Sequence, residues 1–156
     1  MSVALHPDLT EFAFLLGTCR GEGEGEWPGA EPFTYGEELS FEHVGDTFLL
    51  YAQRSWSLED EEPIHLERGF VRPAGAGRVE LVLAHPIGVA EVAGGVVGDG
   101  VFEVASTSVS LTGTGSGVTD LRRRPEVVGD VLSYELHMAI HEIPLTSHVR
   151  SRLSRA

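Results

Sequence analysis

The sequence predicts an all-β fold: a closed antiparallel up-and-down β-barrel of about ten strands, with a short helical turn at its N-terminus. Three observations carry this expectation. From Thr18 onward, apolar residues recur with period two almost everywhere. Turn signals at Gly45-Asp46, Gly94-Gly95, Asp99-Gly100 and Gly129-Asp130 divide the chain, with strands at spacings of roughly 8–12 residues between such signals. A meander of this many strands leaves no exposed edge once it closes. The chain reads as one domain, 1–156, with neither an internal repeat nor a linker.

The elements follow in order. Pro7 and Asp8 precede Leu9, Phe12, Leu15 and Leu16, whose spacing predicts a short helix or helical turn. The first strand covers 18–27. The second, 33–41, places Phe33, Tyr35, Leu39 and Phe41 on one side. Residues 47–56 begin apolar on both faces, and 65–72 follow an acidic loop, 59–62, closed by Pro63. Residues 79–84 come after the Gly-rich turn 73–77. Shorter strands are expected at 87–93, 101–106 and 108–112, and longer ones at 118–127 and 131–140. The tail is ambiguous. Leu145, Val149 and Leu153 recur at helical spacing, yet the same segment reads equally as a last strand. A barrel of eight to ten strands is the smallest kind with room for a ligand.

Composition narrows the function classes. The formal charge of −13 disfavours nucleic acid, whose affinity rests on cationic contacts, and also an acidic membrane surface. Apolar residues at 42% exclude disorder as the default state, and no apolar run is long enough to span a bilayer. One cysteine, Cys19, permits neither an intramolecular disulfide nor a Cys-rich zinc knuckle. The N-terminal segment has no basic region and carries Asp8 and Glu11, so it does not read as a signal peptide and the expected location is cytoplasmic.

Two segments carry chemistry. In the first strand, Thr18, Arg20, Glu22, Glu24 and Glu26 form a face for water, while Cys19, Gly21, Gly23, Gly25 and Trp27 form the other. Glycines on an inward face weaken a strand unless the barrel bends there or something bulky approaches the backbone. Among seven histidines no pair has the HExxH spacing; His137 and His141, read as strand residues, project on one polar side. His148 lies beside the Leu145, Val149 and Leu153 stripe, where a neutral imidazole is suited to ligate a metal. The basic run Arg122-Arg123-Arg124 is expected to be a solvated strand face paired with carboxylates. No Ser-His-Asp arrangement is visible, and Gly113 to Gly117 reads as a flexible turn.

Leu15 to Gly25 resembles the opening Gly-x-Trp-x-Gly-x-Gly signature of the nitrobindin family, heme-binding β-barrels similar in shape to fatty-acid-binding proteins. The resemblance continues through Tyr35 to Gly45, Leu50 to Trp56, Pro63 to Arg72, Val79 to Glu91 and Pro144 to Val149, nearly the whole chain in the family's order. It implies a ferric heme b with His148 as its iron ligand, isomerisation of peroxynitrite to nitrate, and binding of nitric oxide. It places His65 near the heme pocket, and the face bearing Gly21 and Gly23 leaves room for a planar macrocycle. The chain departs from the family in two places. Cys19 stands where the signature has Trp, which opens a thiolate as an alternative iron ligand. Gly29 stands where members tend to carry a heme-contacting Thr. The rival expectation is a non-catalytic carrier of a fatty acid, another apolar molecule or a different tetrapyrrole. A homodimer sharing barrel edges stays open.

Overall fold

The computed structural model describes residues 2–156. The helical turn is a nine-residue 3-10 helix, Pro7–Leu15, entered at a proline, with the His6 ring accepting from the Asp8 N–H at 3.2 Å. It buries Leu9, Phe12 and Leu15. Each such side chain stabilises the fold by about 1.5–3 kcal/mol. The Glu11 carboxylate accepts from the Gly77 N–H at 3.0 Å and ties the helix to the glycine-rich turn 74–77.

Eleven strands form one antiparallel sheet: β1 Gly17–Gly25, β2 Phe33–His43, β3 Leu49–Ser57, β4 Pro63–Pro73, β5 Arg78–His85, β6 Val89–Gly98, β7 Val101–Leu111, β8 Val118–Arg123, β9 Glu126–Val128, β10 Val131–Ile140 and β11 Ile143–Arg155. Each strand through β8 pairs with its predecessor, and β11 closes the barrel on β1, with Cys19 opposite Arg155 and Gly25 opposite Val149. Strands β8 and β9 share one position, both lying beside β7 and β10, so the barrel has ten strand positions, as expected.

Several details differ from the sequence expectation. Residues 101–106 and 108–112 are one strand: between Val92–Ser108 and Ala93–Ser106 the register shifts, leaving Thr107 as a bulge rather than a break. Conversely, 118–127 is interrupted at Arg124-Pro125, because proline has no N–H to donate to the ladder. Ile87 and Gly88 lie in a turn, with Gly88 at φ 79, so β6 starts at Val89. His141 is not a strand residue; it occupies the β10–β11 turn at φ 51. The ambiguous tail is strand, because it must pair on both sides, with β10 and β1.

Inward positions read in layers along each strand. The end nearest the helix is a fully apolar cluster that includes Phe12, Phe41, Leu49, Val71, Leu81, Phe102 and Leu153. A polar layer follows: Glu37 on β2, Gln53 on β3, Glu67 on β4, Glu91 on β6 and Arg123 on β8, all buried. Beyond it Val89, Val118 and Leu121 form a second apolar cluster with Val109, Leu136, Met138 and Ile140. The helix therefore fills one half of the barrel, and the other half is left hollow.

Candidate functional site

The hollow half holds a mostly apolar cavity of about 190 Å3, walled by Phe33, Ile87, Val89, Leu136, Met138 and Ile140 among others. His148 and His65, far apart in sequence, both line it. His148 reaches it from β11. Its Nδ1 lies 3.0 Å from the Glu26 carbonyl oxygen. A carbonyl only accepts, so Nδ1 carries the hydrogen and, in the neutral ring, Nε2 keeps its lone pair. The Glu26 N–H donates to the His148 carbonyl at 2.8 Å, so both ends of this contact are held by β1's C-terminal extension. Trp27 and Phe33 meet the ring edge-on, with centroids 5.3 and 6.1 Å away.

The glycine face of β1 serves this arrangement from behind. Gly23 faces Tyr35 in register and Gly25 faces Phe33, and a Cβ at either position would collide with the facing ring. These glycines let the Tyr35 and Phe33 rings lie flat across β1, and those rings line the cavity. Gly21 packs on the β11 backbone, where a Cβ would stand 2.9 Å from the Leu153 Cα. Neither Gly21 nor Gly23 is itself part of the cavity wall. Cys19 lies in the apolar cluster at the helix end, away from the cavity, where burial pushes its thiol pKa up. A thiolate in that environment is disfavoured. Gly29, at φ 84, sits in a turn with open space where a Cβ would be.

The cavity floor is a buried ionic network that the sequence reading missed. Arg123 donates through Nη2 to Glu67 Oε2 at 3.2 Å and through Nη1 to Glu91 Oε2. Tyr51 donates to Glu67 Oε1 at 2.6 Å. His85 lies between the carboxylates, its Nε2 3.0 Å from Glu91 Oε1 and its Nδ1 3.1 Å from Glu67 Oε2. His65 Nε2 stands 3.3 Å from Glu67 Oε2. Burial alone raises the Glu67 pKa, but Arg123, His65 and His85 outweigh it and hold the carboxyl well below the usual range. For Glu91 burial is likewise outweighed, chiefly by Arg123. The basic run is therefore not uniformly solvated: Arg122 and Arg124 face solvent as expected, while Arg123 points inward and is buried. The signal for this network was strand parity, because Glu67 shares the face of Val71, Glu91 that of Val89, and Arg123 that of Leu121.

A second buried group lies beside it. Glu37 accepts from Gln53 at 2.8 Å and from the Tyr134 hydroxyl, while Tyr35 and Ser151 share a 2.6 Å hydrogen bond. Burial pushes the Glu37 pKa up, only partly offset by the hydrogen bonds it accepts.

A neutral imidazole with a free Nε2, its Nδ1–H anchored on a carbonyl, opening on an apolar space ringed by aromatic groups, is the donor chemistry that an iron porphyrin needs. Comparison with known proteins agrees. The family model for the THAP4-like, heme-binding beta-barrel domain matches residues 8–155. "Peroxynitrite isomerase 2" of Mycobacterium marinum is 45% identical, over 99% of both chains. "Peroxynitrite isomerase" of Nocardia farcinica is 43% identical over 99% of this chain and 94% of its own. The crystal structure of Rv2717c from M. tuberculosis superposes with a TM-score of 0.91 at 39% identity, covering 98% of this chain and 99% of the other. The chain belongs to this family of heme-binding β-barrels, the nitrobindin family that its first strand resembles, and heme is the cofactor the family defines.

Proposed function

We propose that this protein isomerises peroxynitrite to nitrate at a heme held by His148. The observation that carries the proposal is the His148 ring, locked through Nδ1 on the Glu26 carbonyl and presenting Nε2 to an apolar cavity. The names of the relatives support the reaction. When bound, ferric heme supplies the Lewis acid at which the peroxide bond of the substrate is weakened.

What the chain itself must do follows from the chemistry. Peroxynitrite and nitrate contain the same atoms and carry the same charge. The protein therefore has no net proton, oxidant or reductant to supply. It has to hold the cofactor, keep one face open and confine a small reacting species. Glu26 makes His148 a better donor by accepting its Nδ1–H. Phe33, Ile87, Leu136, Met138 and Ile140 exclude water and give reactive fragments no partner except each other. Nitric oxide, small and neutral, is a natural second ligand for the same apolar space.

The fatty-acid carrier is the weaker reading. A carboxylate ligand would need a buried cation, and Arg123 is already engaged by Glu67 and Glu91.

Hemin titration of the wild type and of His148→Ala tests the proposal. The wild type is expected to bind one hemin with a sharp Soret band and to convert peroxynitrite to nitrate. His148→Ala is expected to lose hemin affinity by more than the roughly 10–100-fold that loss of an outer-shell partner costs, and nitrate formation should fall with it. An unchanged Soret band in the variant would overturn the assignment.

A further inference from the structure

The proposed reaction needs no acid, base or second metal, and so leaves the cavity floor without a task. We propose that His65, Glu67 and His85 form a binding site for a divalent first-row transition-metal ion, distinct from the His148 side of the cavity. Three donor atoms converge there: His65 Nε2, Glu67 Oε2 and His85 Nδ1. Their separations are 3.3 Å for His65 to Glu67, 3.1 Å for His85 to Glu67 and 3.3 Å for His85 to His65. Ligands about 2.0–2.1 Å from a metal lie about 3.3 Å apart on a tetrahedron and about 2.9 Å apart on an octahedron. The triangle falls between the two. Two histidines and one carboxylate on one face of an ion, with the remaining positions open, is a recurrent metal-binding set.

Hydrogen accounting gives a second, independent argument. Glu91 Oε1, 3.0 Å from His85 Nε2, belongs to a carboxylate and accepts, so Nε2 carries the hydrogen and Nδ1 of the neutral ring holds a lone pair. That lone pair points at Glu67 Oε2 and His65 Nε2. A hydrogen on His65 Nε2 can serve only one of its two neighbours, Glu67 Oε2 or His85 Nδ1, each 3.3 Å away. Arg123 reaches only the Glu67 corner. Two carboxylates, Glu67 and Glu91, face a single guanidinium, so with both imidazoles neutral one negative charge is left over on the floor. A bound cation would satisfy all three donor atoms at once. The pairing of His85 through its far nitrogen with a buried carboxylate is the outer-shell arrangement of metal-ligating histidines, which fixes the tautomer and strengthens the donor. Tyr51, donating to Glu67 Oε1, orients the carboxylate in the same way.

The site adjoins the cavity, since all three residues line it. A metal there would have its open positions toward the same space without sharing any ligand with His148.

The test uses the full chain, heme-free and hemin-loaded, with Co2+ as a spectroscopic probe and Zn2+ as competitor. Heme-free protein is expected to bind one Co2+ with the intense visible bands of four- or five-coordinate cobalt, and Zn2+ should displace it. His65→Ala, at the half-exposed corner, should abolish the bands. Glu91→Gln, which keeps the side-chain shape but not the carboxylate, should weaken binding by about 10–100-fold. His148→Ala should lose hemin yet keep cobalt, so failure of the heme reading and failure of this one are told apart. In hemin-loaded protein, calorimetric titration should still give one Zn2+ per chain. Absence of cobalt bands at millimolar metal overturns the proposal. So does binding that survives His65→Ala but falls with surface His137→Ala.

Discussion

Replacing Arg123 by methionine removes one charge and keeps most of the side-chain volume. Its consequence can be worked from the floor of the barrel. The Arg123 side chain is 3% exposed, Glu67 6% and Glu91 0%, so neither carboxylate can recover its lost partner from solvent. Breaking a buried ion pair by removing one partner costs about 3–5 kcal/mol. Against a total stability of about 5–15 kcal/mol for a domain this is a large fraction. With a urea slope of about 2 kcal/mol per molar, the unfolding midpoint should fall by roughly 1.5–2.5 M. Trp56 and Trp27 provide the fluorescence signal. The pH dependence supplies the sharper test. In the wild type Glu67 and Glu91 titrate below the usual carboxylate range, so their stabilisation is present above that range and lost as pH falls through the depressed values. In the variant, burial without the guanidinium raises both, and they take up protons as pH falls. The stability gap between wild type and variant should therefore be full near about pH 8 and shrink toward about pH 5. A gap below about 1 kcal/mol, the same at both pH values, would mean the network is effectively solvated and would refute the reasoning.

Other expectations follow from the same geometry. Gly23→Ala should push the Tyr35 ring off β1 and break its bond to Ser151, costing about 1–3 kcal/mol in chemical unfolding and lowering hemin affinity. An unchanged melting point would show that the ring moves freely. Glu37→Gln should stabilise the protein at neutral pH and have little effect in acid. The raised Glu37 pKa means that folding favours its protonated form, so stability is lost as pH rises from the unfolded to the folded value. A wild-type and variant difference that does not change with pH would count against that cause. Cys19, 3% exposed with its thiol pKa pushed up by burial, should react with a disulfide reagent only as fast as the native protein opens. Rapid native-state labelling would place the thiol at the surface.

Period-two patterning and turn residues were enough to read a barrel of about ten strands, and the spacing of Leu9, Phe12 and Leu15 its helix, because alternation, helical spacing and glycine conformation are local properties. The resemblance in Leu15 to Gly25 and in Pro144 to Val149 made His148 the expected heme ligand, and strand β11 places its side chain on the cavity. Helical and strand spacing coincide over so short an apolar stripe, so only pairing with β10 and β1 could decide the tail. The same holds for Thr107 and Pro125, whose bulge and break depend on what lies opposite. The ionic floor was readable in part. Parity puts Glu67, Glu91 and Arg123 on the inward face, but a charge placed inward looks like an error until its partner is known. Those partners are 32 and 56 residues from Arg123. Alternation states which way a side chain points, whereas closure of the sheet determines which distant side chain it meets, and the energy of a buried charge depends on that meeting alone.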